Sequence, residues 1–139
     1  MQKYCALFLT FIISLGVQAK DLKYIAFSIP DSLTKDACAV IRNEHMEVNI
    51  ISQTQSRVTL TKAITVLNSI GKTKAWEAFS YDKNKKITSI SVHMYNAMGQ
   101  EVEKWNKSKL EDVSYDPYGT IYSDSRMLIC KPIKNSYPY

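Results

Sequence analysis

Glycine is scarce in this chain, with four residues in 139, at positions 16, 71, 99 and 119. They are too scattered to build the glycine-rich loop that cradles a phosphate ahead of a helix, which excludes nucleotide binding by that route. Histidine is scarcer still, and only two of the three cysteines lie beyond the first apolar run. Cys38, His45, His93 and Cys130 are separated by 7, 48 and 37 residues, so the short chelating pair on which a zinc site is built is missing. No metal and no cofactor is expected. Neither cysteine stands in a glycine-rich helix start, and both histidines fall on polar strand positions, so a thiol nucleophile with an adjacent base is not expected either. The acidic pairs Glu101 with Glu103 and Glu111 with Asp112 fit the wet surface of an edge strand. The chain is therefore read as non-catalytic.

What is present begins with an export signal. Met1-Gln2-Lys3 precedes the apolar run 6–17, and Val17-Gln18-Ala19 stands before the charged Lys20-Asp21, the layout of a secretory leader. Twelve residues rise only about 18 Å as a helix, short of the ~30 Å a permanent span must cross. Residues 1–19 are expected to be cleaved after Ala19, leaving no transmembrane span, a domain over 20–139, and a periplasmic or extracellular location. Removing Lys3 leaves 17 cations against 13 acids, or +4. That balance is mild, and the lysines at 83, 85, 86, 104, 107 and 109 are read as a solvated face, not a nucleic-acid site. In an oxidising compartment Cys38 and Cys130 could bridge, but spacing alone leaves a disulfide and two free thiols both open.

Alternation organises the rest. Met46, Val48 and Ile50 alternate with His45, Glu47 and Asn49, and Val58, Leu60, Ile64 and Val66 alternate with Arg57, Thr59, Thr61 and Thr65. With the polar stretch 52–56 between them, these runs predict an antiparallel hairpin. Further strands are expected at 76–81, around Ile90-Val92-Met94, at 102–105 and at 120–129. The turns fall at 82–86, at 96–99, where Gly99 suits a positive φ, and at 116–119. Pro30 with Asp31 or Ser32 as cap predicts one or two helical turns within 28–39. The expected fold is mainly β, an antiparallel β-sandwich-like domain with one short N-terminal helix. The tyrosine-rich end, with five of eight mature tyrosines in the last 25 residues, reads as an unpaired strand edge of a fold left incomplete at the C-terminus.

Four segments carry a family likeness: 27–50, 59–75, 81–105 and 116–133, most distinctively Ala39-Val40-Ile41-Arg42, the junction from Val66-Leu67-Asn68 to Gly71, the hairpin from Tyr95 to Glu101, and Tyr122-Ser123-Asp124-Ser125-Arg126. In that order they resemble the bacterial domain of unknown function that precedes transglutaminase-like domains in exported proteins. The resemblance implies a β-rich exported module, followed by more strands and a papain-like Cys-His-Asp domain. No such domain follows here, so a naturally short relative or a truncated reading frame is expected. It transfers no catalytic residue. The function expected is a non-catalytic accessory or interaction domain whose partner is a transglutaminase-like domain or another envelope protein. The alternative is a standalone envelope protein that binds peptide or glycan through an aromatic-rich face. Tyr122, Asp124 and Arg126 share strand parity in the expected strand 120–129, and with Tyr118 they form the candidate binding surface.

Overall fold

The computed structural model describes residues 23–116, 119 and 123–139. The chain is mainly β, with antiparallel sheets and one short helix. A 3₁₀ turn at Ala26–Ser28 leads into helix α1 (Asp31–Thr34), a single turn. Pro30 occupies its cap position, so Asp31 lies inside the turn and no side chain caps it. Strands β1 (Ala39–Ser52) and β2 (Gln55–Val66) form the expected hairpin. Both strands run into the polar stretch until Ser52 pairs with Gln55, so only Gln53 and Thr54 turn.

A second sheet is built from distant segments. β3 (Glu77–Tyr81), β6 (Glu111–Ser114) and β7 (Arg126–Cys130) pair antiparallel, with β7 in the centre. The third is the hairpin of β4 (Ser91–Tyr95) and β5 (Glu101–Asn106). Its turn is held by the Asn96 side chain, whose oxygen accepts from Met98 N and Gln100 N, and Gly99 takes φ 75°. Asp82 holds the lysine-rich turn after β3 in the same way, accepting from Asn84 N and Lys85 N.

Two sequence expectations are corrected here. Of the expected final strand 120–129, residues 120–122 lie outside the described residues, residues 123–125 stand outside a strand, and β7 begins at Arg126, next to the bond from Tyr115 N to the Ser125 carbonyl at the end of the β6–β7 ladder. β6 is absent from the sequence expectation, since Asp112 and Ser114 occupy the sheet face that also carries Leu128, and the pattern Glu-Asp-Val-Ser shows no apolar alternation.

The core is small. Leu110, Leu128 and Cys130 are buried, and Tyr81, Ile87, Ile90, Val92 and Trp105 pack against them. One face of the three-stranded sheet thus meets the face of the β4–β5 hairpin that carries Val92 and Trp105. The C-terminal segment is not an unpaired edge: Val66 N donates to the Tyr139 carbonyl at 2.8 Å and Tyr139 N to the Val66 carbonyl at 3.2 Å. Val66 is fully buried between Ala39 and Tyr139.

Candidate functional site

The most distinctive surface is the far half of the β1–β2 ribbon. Opposed residues in an antiparallel pair share a face. The register sets Met46 against Leu60, Val48 against Val58 and Ile50 against Ser56 on one face, and His45 against Thr61, Glu47 against Thr59 and Asn49 against Arg57 on the other. One face is therefore an apolar stripe and the other is polar. Every residue from Asn43 to Thr61 is nevertheless exposed. Met46, Val48, Ile50, Val58 and Leu60 are 61, 58, 77, 58 and 39% exposed, so water meets the stripe directly. An open concavity of about 460 Å³ lies beside Val48 and Ile50 at the tip.

The near end of the ribbon is anchored. Glu44 and Lys62 end the stripe at its near side as an opposed pair, and Lys62 Nζ reaches Glu77 Oε1 on β3 at 2.6 Å and Glu44 Oε2 at 3.9 Å. The hydrogen bond to Glu77 raises the Lys62 pKa despite partial desolvation. A bulge between Ile41 and Asn43 leaves Arg42 without a partner in the ladder and re-aims its side chain. The guanidinium donates to the Ile25 carbonyl and to Ser28 Oγ, each at 3.1 Å. The ribbon is tied to the body at its base and projects beyond it.

Of the candidate binding residues, Tyr118 and Tyr122 lie outside the described residues, as do residues 1–19. Asp124 and Arg126 are not brought together as one strand face. Asp124 Oδ2 accepts from Lys83 N at 3.4 Å. Arg126 Nε instead donates to Asp112 Oδ1 at 2.9 Å and to the Tyr81 hydroxyl at 3.1 Å, while that hydroxyl donates to Asp112 Oδ2 at 2.7 Å. The Tyr81 hydroxyl and then Arg126 hold the Asp112 carboxyl below its usual range. The cluster closes the end of the three-stranded sheet. Its polar groups satisfy one another, which favours a structural role.

Compared with known protein families, with characterised proteins and with solved structures, the chain matches none. Its chemistry is therefore judged from its own side chains.

One constellation escaped the sequence reading. Ser91 Oγ lies 2.8 Å from His93 Nε2, and His93 Nδ1 lies 2.8 Å from Glu101 Oε2, the connectivity of a serine–histidine–carboxylate relay. Two signals could have found it, the Ser-x-His spacing on one strand face and the turn that returns Glu101 beside it. A bulge opposite Met94 and Tyr95 also sends Glu101 and Glu103 to opposite faces. Glu103 turns to Trp105 Nε1 at 2.6 Å and Lys134 Nζ at 3.1 Å, so the two acids do not form a pair. The relay stands on a wet ribbon surface, with His93 and Glu101 side chains 34 and 38% exposed. In water the preorganised electrostatics that supply most of the rate in acyl transfer are weak, so the relay orders a surface more readily than it activates a nucleophile.

The two thiols are both free, Cys130 buried and Cys38 half-buried. Burial, and then the Glu77 charge, pushes the Cys130 thiol up, which opposes thiolate formation. Among the described residues no group of three or more His, Cys, Asp or Glu side chains is placed to hold a metal ion, and no helix is long and apolar enough to cross a membrane. Several lysines lie over aromatic rings, Lys107 on Tyr81, Lys131 on Trp76 and Lys72 on Tyr137, at 5.5 to 5.7 Å, and those rings are occupied within the fold.

Proposed function

We propose that this chain is an exported, non-catalytic interaction module, of the accessory type that accompanies transglutaminase-like enzymes. The observation that carries the reading is the projecting ribbon, with an apolar stripe on one face and a polar opposite face. A contiguous exposed apolar patch of this kind marks an interaction surface, whereas apolar residues scattered singly over a surface carry no such meaning. Export is supported by the leader-like residues 1–19, and the accessory role by the resemblance of the four segments. The aromatic C-terminal alternative gains no support from Arg126 and Asp124, whose polar groups are engaged within the fold, nor from Tyr139, whose hydroxyl donates to the Pro132 carbonyl.

Hydroxyl-radical footprinting tests the reading. Met46 should be labelled less in the producing cells than in highly diluted purified protein, because a partner covers the stripe in place. Equal labelling rejects an interaction role for the ribbon. Hydrolysis of a simple ester that disappears in Ser91→Ala would reject the non-catalytic part.

A further inference from the structure

We infer that the occupant of the apolar stripe is a second copy of this chain, the two ribbons packing face to face about a two-fold axis. The inference rests on the interaction reading above and deepens it by naming the partner. Three features of the ribbon support it. The first is composition: on the stripe face, no charged residue interrupts the run Met46, Val48, Ile50, Val58 and Leu60. An isologous contact requires a patch complementary to itself, and an uninterrupted apolar patch meets that condition without burying a charge.

The second is area. At the exposures given above, the five side chains leave a patch of roughly 500 Å², near the upper end of what a monomer leaves bare. Two such patches facing each other remove about 1,000 Å² from water, where specific interfaces begin. Two stacked ribbons at the usual separation of about 10 Å form a two-layer sheet packing with one dry interior. The third is charge. The mature chain is basic, yet the stretch from Asn43 to Lys62 carries Glu44, Glu47, Arg57 and Lys62, two of each sign. The excess positive charge lies elsewhere, so two ribbons approach without net repulsion between them.

Sedimentation of the purified protein from micromolar to near-millimolar concentration tests this. The protein should populate a dimer, and Val48→Lys should raise its dissociation constant roughly 100-fold or more, since two lysines would face each other across an apolar seam. Glu47→Lys, on the opposite ribbon face, should leave it within about threefold. Val48 is 58% exposed, so the variant should fold; Met46→Lys at a neighbouring position repeats the test, and thermal unfolding confirms that each variant is native. A monomer at every concentration overturns the second copy as occupant. A dimer that survives both lysine substitutions pairs by another surface, such as the open edge of β1, and overturns it equally. In either case protection of Met46 in cells keeps the interaction reading alive with a different partner. Loss of that protection removes the broader reading itself.

Discussion

Replacing Gly71 by alanine should loosen the junction from which the ribbon springs. Gly71 lies in the 3₁₀ segment Ser69–Ala75, where the Asn68 side chain accepts from Ile70 N and Gly71 N. A Cβ there would stand 2.0 Å from the Cys38 carbonyl oxygen and 3.3 Å from Val66 Cγ1, against a floor of 3.0 Å for real contacts. Backbone must therefore move by at least the difference between 2.0 and 3.0 Å, which is 1.0 Å. The Cys38 carbonyl is already committed, accepting from Leu67 N at 2.9 Å, and a shift of that size breaks the bond. Losing it costs about 1–3 kcal/mol, and relieving the overpacking costs a further 1–3 kcal/mol or so. The expected loss is about 2–6 kcal/mol, large against a typical total of about 5–15 kcal/mol. Gly119→Ala is the control. Gly119 has nothing within 4 Å of its virtual Cβ but holds φ +64°, so it carries only the left-handed conformational cost of roughly 1–2 kcal/mol. Urea unfolding compares the two, followed by the fluorescence of Trp76, which caps the C-terminal end of the segment Ser69–Ala75. If Gly71→Ala loses no more than Gly119→Ala, the close approach of Gly71 to the Cys38 carbonyl is wrong.

The thiols give a second check: the denatured, unreduced chain starting at Lys20 should titrate two free thiols, and a count of none would establish a Cys38–Cys130 bridge. In the native protein at neutral pH, Cys38 should react with a thiol reagent before Cys130, whose pKa is raised by burial, and equal rates would refute that placement. The Asp112 cluster predicts an acid-sensitive contribution. Because the folded carboxyl titrates below its unfolded value, its stabilisation is complete above the ordinary carboxylate range near about pH 4 and is lost as pH falls through the lower folded value. Stability curves of the native chain and Asp112→Asn should therefore converge on acidification, and a constant gap between them would show that Asp112 does not titrate as described.

How much of this was legible in the sequence depends on whether the signal was local. The β1–β2 hairpin was readable because residues 45–50 and 57–61 alternate apolar with polar and because Val, Ile and Thr suit a pleated surface. The turn at 96–99 was readable because Asn96 and Gly99 carry their own local chemistry. The central place of β7 was not, since its partners lie about fifty and fifteen residues upstream and only packing chooses them. β6 was invisible because its sheet-facing Asp112 is polar and is satisfied by Arg126 and Tyr81, a fact no local pattern contains. Among the described residues the ladders shift register at Ile41/Asn43, at Ile50/Ser52 and opposite Met94/Tyr95, and these shifts were invisible for a related reason: one extra residue on one strand leaves the other strand's alternation intact, yet the first decides where Arg42 points and the last separates Glu101 from Glu103.

The ribbon turns one of the successful readings into evidence. A strand pair that is wetted on both faces gains nothing from sorting its side chains, and polar residues on both faces would serve it as well. Here the far half is sorted, with Met46, Val48, Ile50, Val58 and Leu60 on one side and His45, Glu47, Asn49, Arg57, Thr59 and Thr61 on the other; the departures lie at the tip, where Ser56 faces Ile50 on the apolar side and the exposed Ile51 falls at a register shift. Such alternation is the mark of burial on one face, yet the described residues of the monomer supply no cover for that face. A lone two-stranded hairpin is at best marginally stable in water, and the anchoring by Lys62 and Arg42 reaches only its base. The binary pattern thus calls for a covering layer that the described residues of the monomer do not supply, and the proposed second copy would offer one of matching width, length and polarity. If the ribbon were only a surface hairpin, polar replacements along the stripe would leave sedimentation and cellular footprint unchanged, and the alternation would have no physical cause left to explain it.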